Sequence, residues 1–240
     1  MSLNMDRLLS GSRLLVVMPH PDDETFCSGG TIARAKAQGA EVYVMIMSAG
    51  NLRHYHNGYS EVSGETRVGE LAEAMRCLGV DAHTVVYPDS ERHLRLDALP
   101  RRELIAQIER ENELAIDRVQ PDIVILPAPS YNQDHEATFQ AGFAACRPHL
   151  PSEKAFVPMV LSADCAQLTW SVLPARLSVY MDISGPYLKR KMQAHACHRS
   201  QLREDPHHAS LENVERLARL RGSEVAVEAA EAFVCHRMLL

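Results

Sequence analysis

Short apolar runs alternate with helix-patterned stretches through the first two-thirds of the chain, and few folds accommodate that alternation. Arg13-Leu-Leu-Val-Val-Met-Pro19 is an unbroken apolar run of strand length that stops at a proline. Glu41 to Met47, Thr84 to Tyr87 and Asp122 to Pro127 are three more. Runs of this kind predict strands buried on both faces. Between them lie Thr31 to Gln38, Ala-rich and closed by Gly39, and Gly64 to Leu78, with Val68, Leu71, Ala72, Met75 and Leu78 at helical spacing and Gly79 as its stop. Leu99 to Val119 reads as one long helix ended by Pro121. Strands alternating with helices imply parallel βαβ units with right-handed crossovers. The expected class is α/β, a Rossmann-like, doubly wound, mostly parallel sheet with helices on both faces.

The last third is less regular. Val157 to Leu161 and Leu177 to Ile183 read as strands, Gly185-Pro186 opens a helix to about Gln201, Leu211 to Leu220 reads as a second helix, and Ala232 to Leu240 as a closing strand. No Pro/Gly-rich linker sets this part apart. The chain is therefore read as one domain, 1–240, with a Rossmann-like core at 13–150 and a C-terminal portion, 151–240, packed on it. With 46% hydrophobic and 23% charged residues it has the composition of a globular protein, and a net charge of −6 argues against nucleic acid or an anionic membrane as partner. No apolar run reaches the roughly 18 residues of a membrane helix. The start of the chain lacks a signal-peptide layout and the six scattered cysteines include no CxxC, so a cytoplasmic protein with reduced thiols is expected. Twelve histidines are the one oddity.

In open parallel α/β sheets, ligands sit beyond the carboxyl ends of the strands. The first strand ends in Met18-Pro-His-Pro-Asp-Asp-Glu24, and the fourth runs into Pro127-Ala-Pro-Ser-Tyr-Asn-Gln-Asp134-His135. Two strand ends thus bring two histidines and several carboxylates to one rim. Neutral imidazoles and a carboxylate suit Zn²⁺, which in catalytic sites keeps a position open for a water of pKa near 7. His20, Asp23 and His135 are the candidate ligands, and Asp22 beside them the candidate general base. The bland alternative is that Asp22, Asp23 and Glu24 merely cap the next helix and complement its dipole. Three consecutive acids repel one another, however, and a cation relieves that.

Pro19-His-Pro-Asp-Asp-Glu24, followed by Ser28-Gly-Gly30, resembles the signature of the LmbE/PIG-L family of metal-dependent N-deacetylases, which act mostly on N-acetylglucosamine conjugates. Glu65 to Gly79, Pro88-Asp89, Pro129-Ser130 with Asp134-His135-Glu-Ala-Thr138, Lys191 to Gln201 and Ala232-Phe233 are similar to further family patterns in the same order. The resemblance implies hydrolysis of an N-acetyl group from a small amino-sugar conjugate. It implies zinc, or another divalent metal such as Fe²⁺, on His20, Asp23 and His135, with Asp22 as base. It makes Arg67, Asp89, Tyr131 and His198 candidates for meeting substrate. Arg67 also reads as a helix-surface ion-pair partner, and Asp89 as a turn residue. A homo-oligomer, frequent in such families, stays open. Many members carry His-x-Asp-His in the second metal motif, where this chain has Asn132-Gln-Asp-His135. Asn132 can donate a hydrogen bond to an oxyanion but no proton at neutral pH. Asp22 then serves as base and acid, or Tyr131 assists. Asp134 is expected to act in catalysis by orienting its neighbours.

Other signals are weaker. Gly29-Gly30 after the first strand lacks GxGxxG. Two histidines and a carboxylate also make the triad of non-haem iron oxygenases, but these carry His-x-Asp rather than His-x-x-Asp. A metal or sugar binder that has lost its chemistry is the remaining alternative, supported by Asn132. The stretches Asn51–Ser63, with His54 and His56, and Pro148–Phe156 are expected to choose the aglycone. Trp170 reads as core or subunit contact.

Overall fold

The computed structural model describes residues 8–54, 60–165 and 176–239. His56 and Trp170 lie outside them. The main sheet has seven strands: β1 (Arg13–Met18), β2 (Glu41–Ser48), β5 (Ala82–Tyr87), β6 (Ile123–Pro127), β7 (Met159–Ala163), β8 (Val179–Asp182) and β9 (Ala230–Met238), in the order β5-β2-β1-β6-β7-β9-β8. β5, β2, β1, β6 and β7 pair in parallel, and β9 runs antiparallel to both β7 and β8. β3 (Leu52–Arg53) and β4 (Glu61–Val62) form a separate two-stranded ribbon. From β1 the chain builds outward through β2 to β5, then returns to β1's other side for β6 and β7. The strand order therefore reverses between β1 and β6, which opens a crevice beyond their carboxyl ends.

Successive residues of β1 serve opposite faces. Leu14, Val16 and Met18 join one apolar core with Val42, Val44, Ile32, Leu71 and Phe233. Leu15 and Val17 join another with Met45, Met47, Leu104, Ile108 and Ile116. This two-sided burial is why the strand reads as a continuous apolar run. Helices α1 (Asp23–Ala37), α2 (Gly64–Leu78), α5 (Gln133–Ala145), α6 (Pro186–His195) and α7 (Leu211–Ser223) cover the two faces. All six cysteines are free, and no helix of the described residues is long and apolar enough to cross a membrane.

Two helices depart from the pattern reading. α1 begins at Asp23, well before Thr31, so the acidic run forms its first turn, where carboxylates favour the helix dipole. The long helix expected over Leu99–Val119 is broken. A 3₁₀ turn (Leu96–Ala98) precedes α3 (Arg101–Ala106), a π turn (Gln107–Glu111) follows, and α4 (Ile116–Val119) resumes after a gap. The break falls at Asn112, whose backbone is extended and whose Oδ1 accepts the Leu114 N–H at 2.9 Å. A short polar side chain that satisfies nearby backbone competes with the helix ladder. By contrast, α2 ends as read, with Gly79 at φ 73°, a left-handed cap.

The C-terminal portion is tied to α1 by a buried ion pair. Lys191 of α6 meets Glu231 of β9 at 2.5 Å and also donates to the Phe26 carbonyl at 2.7 Å. Glu231 accepts the backbone N–H groups of Gly30 and Thr31 at 2.9 and 2.7 Å. Gly30 has a packing reason: a Cβ there would stand 2.6 Å from Ile183 Cδ1.

Candidate metal centre

His20 follows β1 after Pro19, and Asp134 and His135 open α5 just beyond β6, so the strand reversal places them together. His20, Asp23 and His135 are all buried, and each offers a ligand atom within 4.8 Å of the others. Asp23 Oδ2 lies between the rings, 3.4 Å from His20 Nδ1 and 3.3 Å from His135 Nε2. The other ring nitrogen of His20, Nε2, meets Asp134 Oδ2 at 3.0 Å, and Asp134 Oδ1 accepts the Leu96 N–H at 2.9 Å. An ionised Asp134 only accepts, so Nε2 carries the proton and the Nδ1 lone pair faces the centre. A carboxylate behind an imidazole in this way fixes the tautomer of a metal ligand.

The electrostatics favour positive charge here. Burial alone would lower the His20 pKa, but hydrogen bonds to Asp134 and Asp23 carry it above its ordinary value. His135 behaves likewise: burial opposes the shift and Asp23's charge outweighs it. Asp23, which burial alone would raise, is held far below the carboxylate range by His135 and His20. Two imidazoles and a carboxylate converging on one point fit a divalent metal.

Asp22 stands beside this centre in an unusual conformation. Its φ of 116° with ψ −35° lies outside the regions an L-residue ordinarily occupies. Burial and the neighbouring Asp23 charge push its carboxyl up to about 7. Its N–H donates to Glu24 Oε2 at 2.9 Å, and its carbonyl accepts the Phe26 N–H and the Thr25 hydroxyl, each at 2.9 Å.

Around the centre runs a second chain of contacts that no local pattern marks. Arg67 donates to His93 Nε2 at 2.6 Å, so His93 carries its proton on Nδ1, which meets Ser48 Oγ at 3.1 Å. The His93 ring packs edge-on against His20, 5.2 Å between centroids. Burial and the Arg67 charge push His93 down to about 3, keeping it neutral. The sequence pattern offers no partner for His93, because every one of these contacts is long-range.

The other expected site residues fall as follows. Asn132 is the N-cap of α5: its Oδ1 accepts the Asp134 N–H at 2.9 Å. Tyr131 stands at the rim, 55% exposed. Asp134 is buried behind His20. Arg67 is neither on the helix surface nor extended as a grip; it is buried, donating to Gly50 O and Pro21 O as well as His93. Asp89 accepts the Glu91 and Arg92 N–H groups and pairs with Arg92, which is the turn role. His198, expected to meet substrate, is 0% exposed and bonds Glu24 Oε1 through Nε2 at 2.7 Å. A ring with no exposed atom acts on a ligand only through its neighbours. His54 is buried and bonds Arg203 through Nδ1.

Residues 15–146 match the model of the PIG-L family, described as GlcNAc-PI de-N-acetylase. A 1D-myo-inositol 2-acetamido-2-deoxy-alpha-D-glucopyranoside deacetylase of Streptomyces avermitilis is 30% identical over 186 residues, covering 69% of this chain and 63% of that protein. The chain thus spans a little under two-thirds of that relative. Among solved structures, the conserved protein TT1542 from Thermus thermophilus superposes with a TM-score of 0.73 at 26% identity, over 95% of this chain and 96% of that one. GalB, the 4-carboxy-2-hydroxymuconate hydratase of Pseudomonas putida KT2440, has a TM-score of 0.70 at 20% identity, over 95% and 98% of the two chains. That last likeness is one of fold alone.

Proposed function

The chain belongs to the PIG-L family, and on that premise we propose that it is a metal-dependent N-deacetylase that removes acetyl from a small N-acetylglucosamine-type conjugate, leaving acetate and a free amine. The observation that carries this reading is the convergence of His20, Asp23 and His135 on one point at the strand reversal, with the strained Asp22 beside them. The donor set favours zinc, with Fe²⁺ as the other divalent choice. The metal, when bound, supplies a Lewis acid for an acyl carbonyl and a water of lowered pKa.

The chain's own groups supply the rest. Asp134 fixes the His20 ring so that Nδ1 faces the centre. Asp22 takes the proton of the attacking water and returns it to the leaving nitrogen. A carboxylate beside the centre suits both halves of that task. Asn132 keeps its amide N–H₂ for a developing oxyanion, while its oxygen caps α5. Tyr131 at the rim meets the sugar or its aglycone. A second reading, a binder without turnover, draws on Asn132 standing where many relatives carry histidine.

The test is a panel of N-acetylated sugar conjugates assayed for acetate, with metal analysis on the same sample. One metal per chain and acetate from at least one conjugate are expected. Asp22→Asn should keep the metal and lose roughly 100-fold or more in turnover. Metal without acetate from any conjugate favours the binder, and neither metal nor acetate refutes the proposal.

A further inference from the structure

The geometry points to Glu24 and His198 as a positioning pair that holds Asp22 in its left-handed backbone conformation and so sets its carboxylate beside the metal centre. Strained backbone at functional sites persists only where the surroundings over-determine it. Here the surroundings can be named. Glu24 divides its two oxygens: Oε2 accepts the Asp22 N–H at 2.9 Å, and Oε1 meets His198 Nε2 at 2.7 Å. Both side chains are fully buried.

His198 has little else to do. Its Nδ1 is buried without a hydrogen-bond partner among the described residues. A buried imidazole that leaves one nitrogen unmatched carries a desolvation penalty, and the Glu24 contact is the one hydrogen bond its ring makes there. The ring sits 174 residues from Glu24 along the chain, just after α6, where its N–H bonds the His195 carbonyl and its own carbonyl accepts the Gln201 N–H. The C-terminal portion thus reaches the N-terminus of α1 and fixes Glu24 from behind. Thr25 and Phe26 hold the Asp22 carbonyl, so the peptide on each side of Asp22 is gripped.

The clamp answers a geometric need. Asp22 and Asp23 are neighbours in the chain yet take different tasks at one centre, Asp23 as ligand and Asp22 as base. A left-handed turn between two such residues lets both carboxylates serve that centre without one displacing the other. Glu24 and His198 touch neither metal nor substrate in this scheme.

The inference rests on the deacetylase reading for its kinetic consequence but not for its structural one. In the metal-loaded protein, Glu24→Ala should lower kcat roughly 100-fold with KM and metal affinity within threefold of the parent. Its crystal structure should show residue 22 relaxed to negative φ. Glu24→Gln, which keeps an acceptor for the Asp22 N–H, should retain positive φ and stay within tenfold in kcat. His198→Ala should fall between the two and serves if Glu24→Ala does not fold. Positive φ at residue 22 in Glu24→Ala, turnover within threefold of the parent, or Glu24→Gln as damaged as Glu24→Ala would overturn the proposal. If the parent itself releases no acetate, the deacetylase reading fails, and the φ of residue 22 in the same variants still decides the clamp.

Discussion

Lys191→Met tests whether the buried ion pair fastens the C-terminal portion to α1. Methionine keeps the length and apolar stem of lysine, so packing of the stem against Gly29 is preserved while the charge is lost. The Lys191 and Glu231 side chains are 3% and 4% exposed, so water does not replace the missing ammonium. Breaking one side of such a pair costs about 3–5 kcal/mol. Glu231 keeps its two backbone donors, Gly30 and Thr31, which favours the low end. The Phe26 carbonyl loses its Lys191 donor, about 1 kcal/mol more. The sum is about 4 kcal/mol. For a chain of this length roughly 2 °C of Tm accompanies each kcal/mol, so Tm should fall by about 8 °C. Urea denaturation at pH 7 followed by circular dichroism gives the free energy, and a thermal melt gives Tm. The double variant Lys191→Met/Glu231→Gln removes the stranded charge and should recover about half of the loss. A single variant within about 1 kcal/mol of the parent, or a double variant worse than the sum of the singles, would refute the reasoning.

Three further outcomes are expected. Asp134→Asn removes the carboxylate behind His20 and should weaken zinc binding roughly 10–100-fold in a chelator competition, with the fold unchanged by circular dichroism. His93→Phe keeps the ring against His20 but removes one hydrogen-bond partner each from Arg67 and Ser48, which should destabilise the chain by about 1–3 kcal/mol in urea while the metal content stays at one per chain. The metal-free protein should lose stability as pH rises above neutrality. His20 and His135 have folded-state pKa values above 6.5, so their contribution is complete below 6.5 and lost through the higher folded value. Asp22, raised from 3.8 to about 7, acts in the same direction up to about 7, whereas His93 and His195, pushed down to about 3 by burial, act oppositely below 6.5. Urea midpoints should drop from about pH 7 to about pH 8.5, above the range where the depressed histidines titrate, and recover with zinc at about 100 times its Kd, worth about 2.7 kcal/mol. A metal-free midpoint that rises over this range would contradict the electrostatics of the centre.

Much of this protein is legible in the chain because much of it is local. Apolar runs bounded by proline mark β1 and β6, and Gly79 marks the end of α2. The acids and histidines after two strand ends mark the candidate ligands, because an open parallel sheet gathers ligands at those ends. Even there the roles of single residues come largely from resemblance rather than from spacing. The true start of α1 is hard to read because the same acids suit a helix N-terminus and a metal site alike, and spacing does not separate the two. The break within Leu99–Val119 is equally hidden, because Asn112 acts through one side-chain hydrogen bond.

Other features come only with the tertiary structure. That Arg67 is buried against His93 and that His198 reaches Glu24 rather than substrate are not written in local patterns, and both depend on residues tens to hundreds of positions apart. The left-handed backbone at Asp22 is mixed: its own contacts, to Glu24, Thr25 and Phe26, are local, but Glu24 is held in turn by His198 from across the chain. Residue type and short-range spacing carry propensity and dipole, which act within a turn or a strand. Hydrogen bonds between distant side chains, the burial that gives them their strength, and the strain they sustain exist only once the layers have packed.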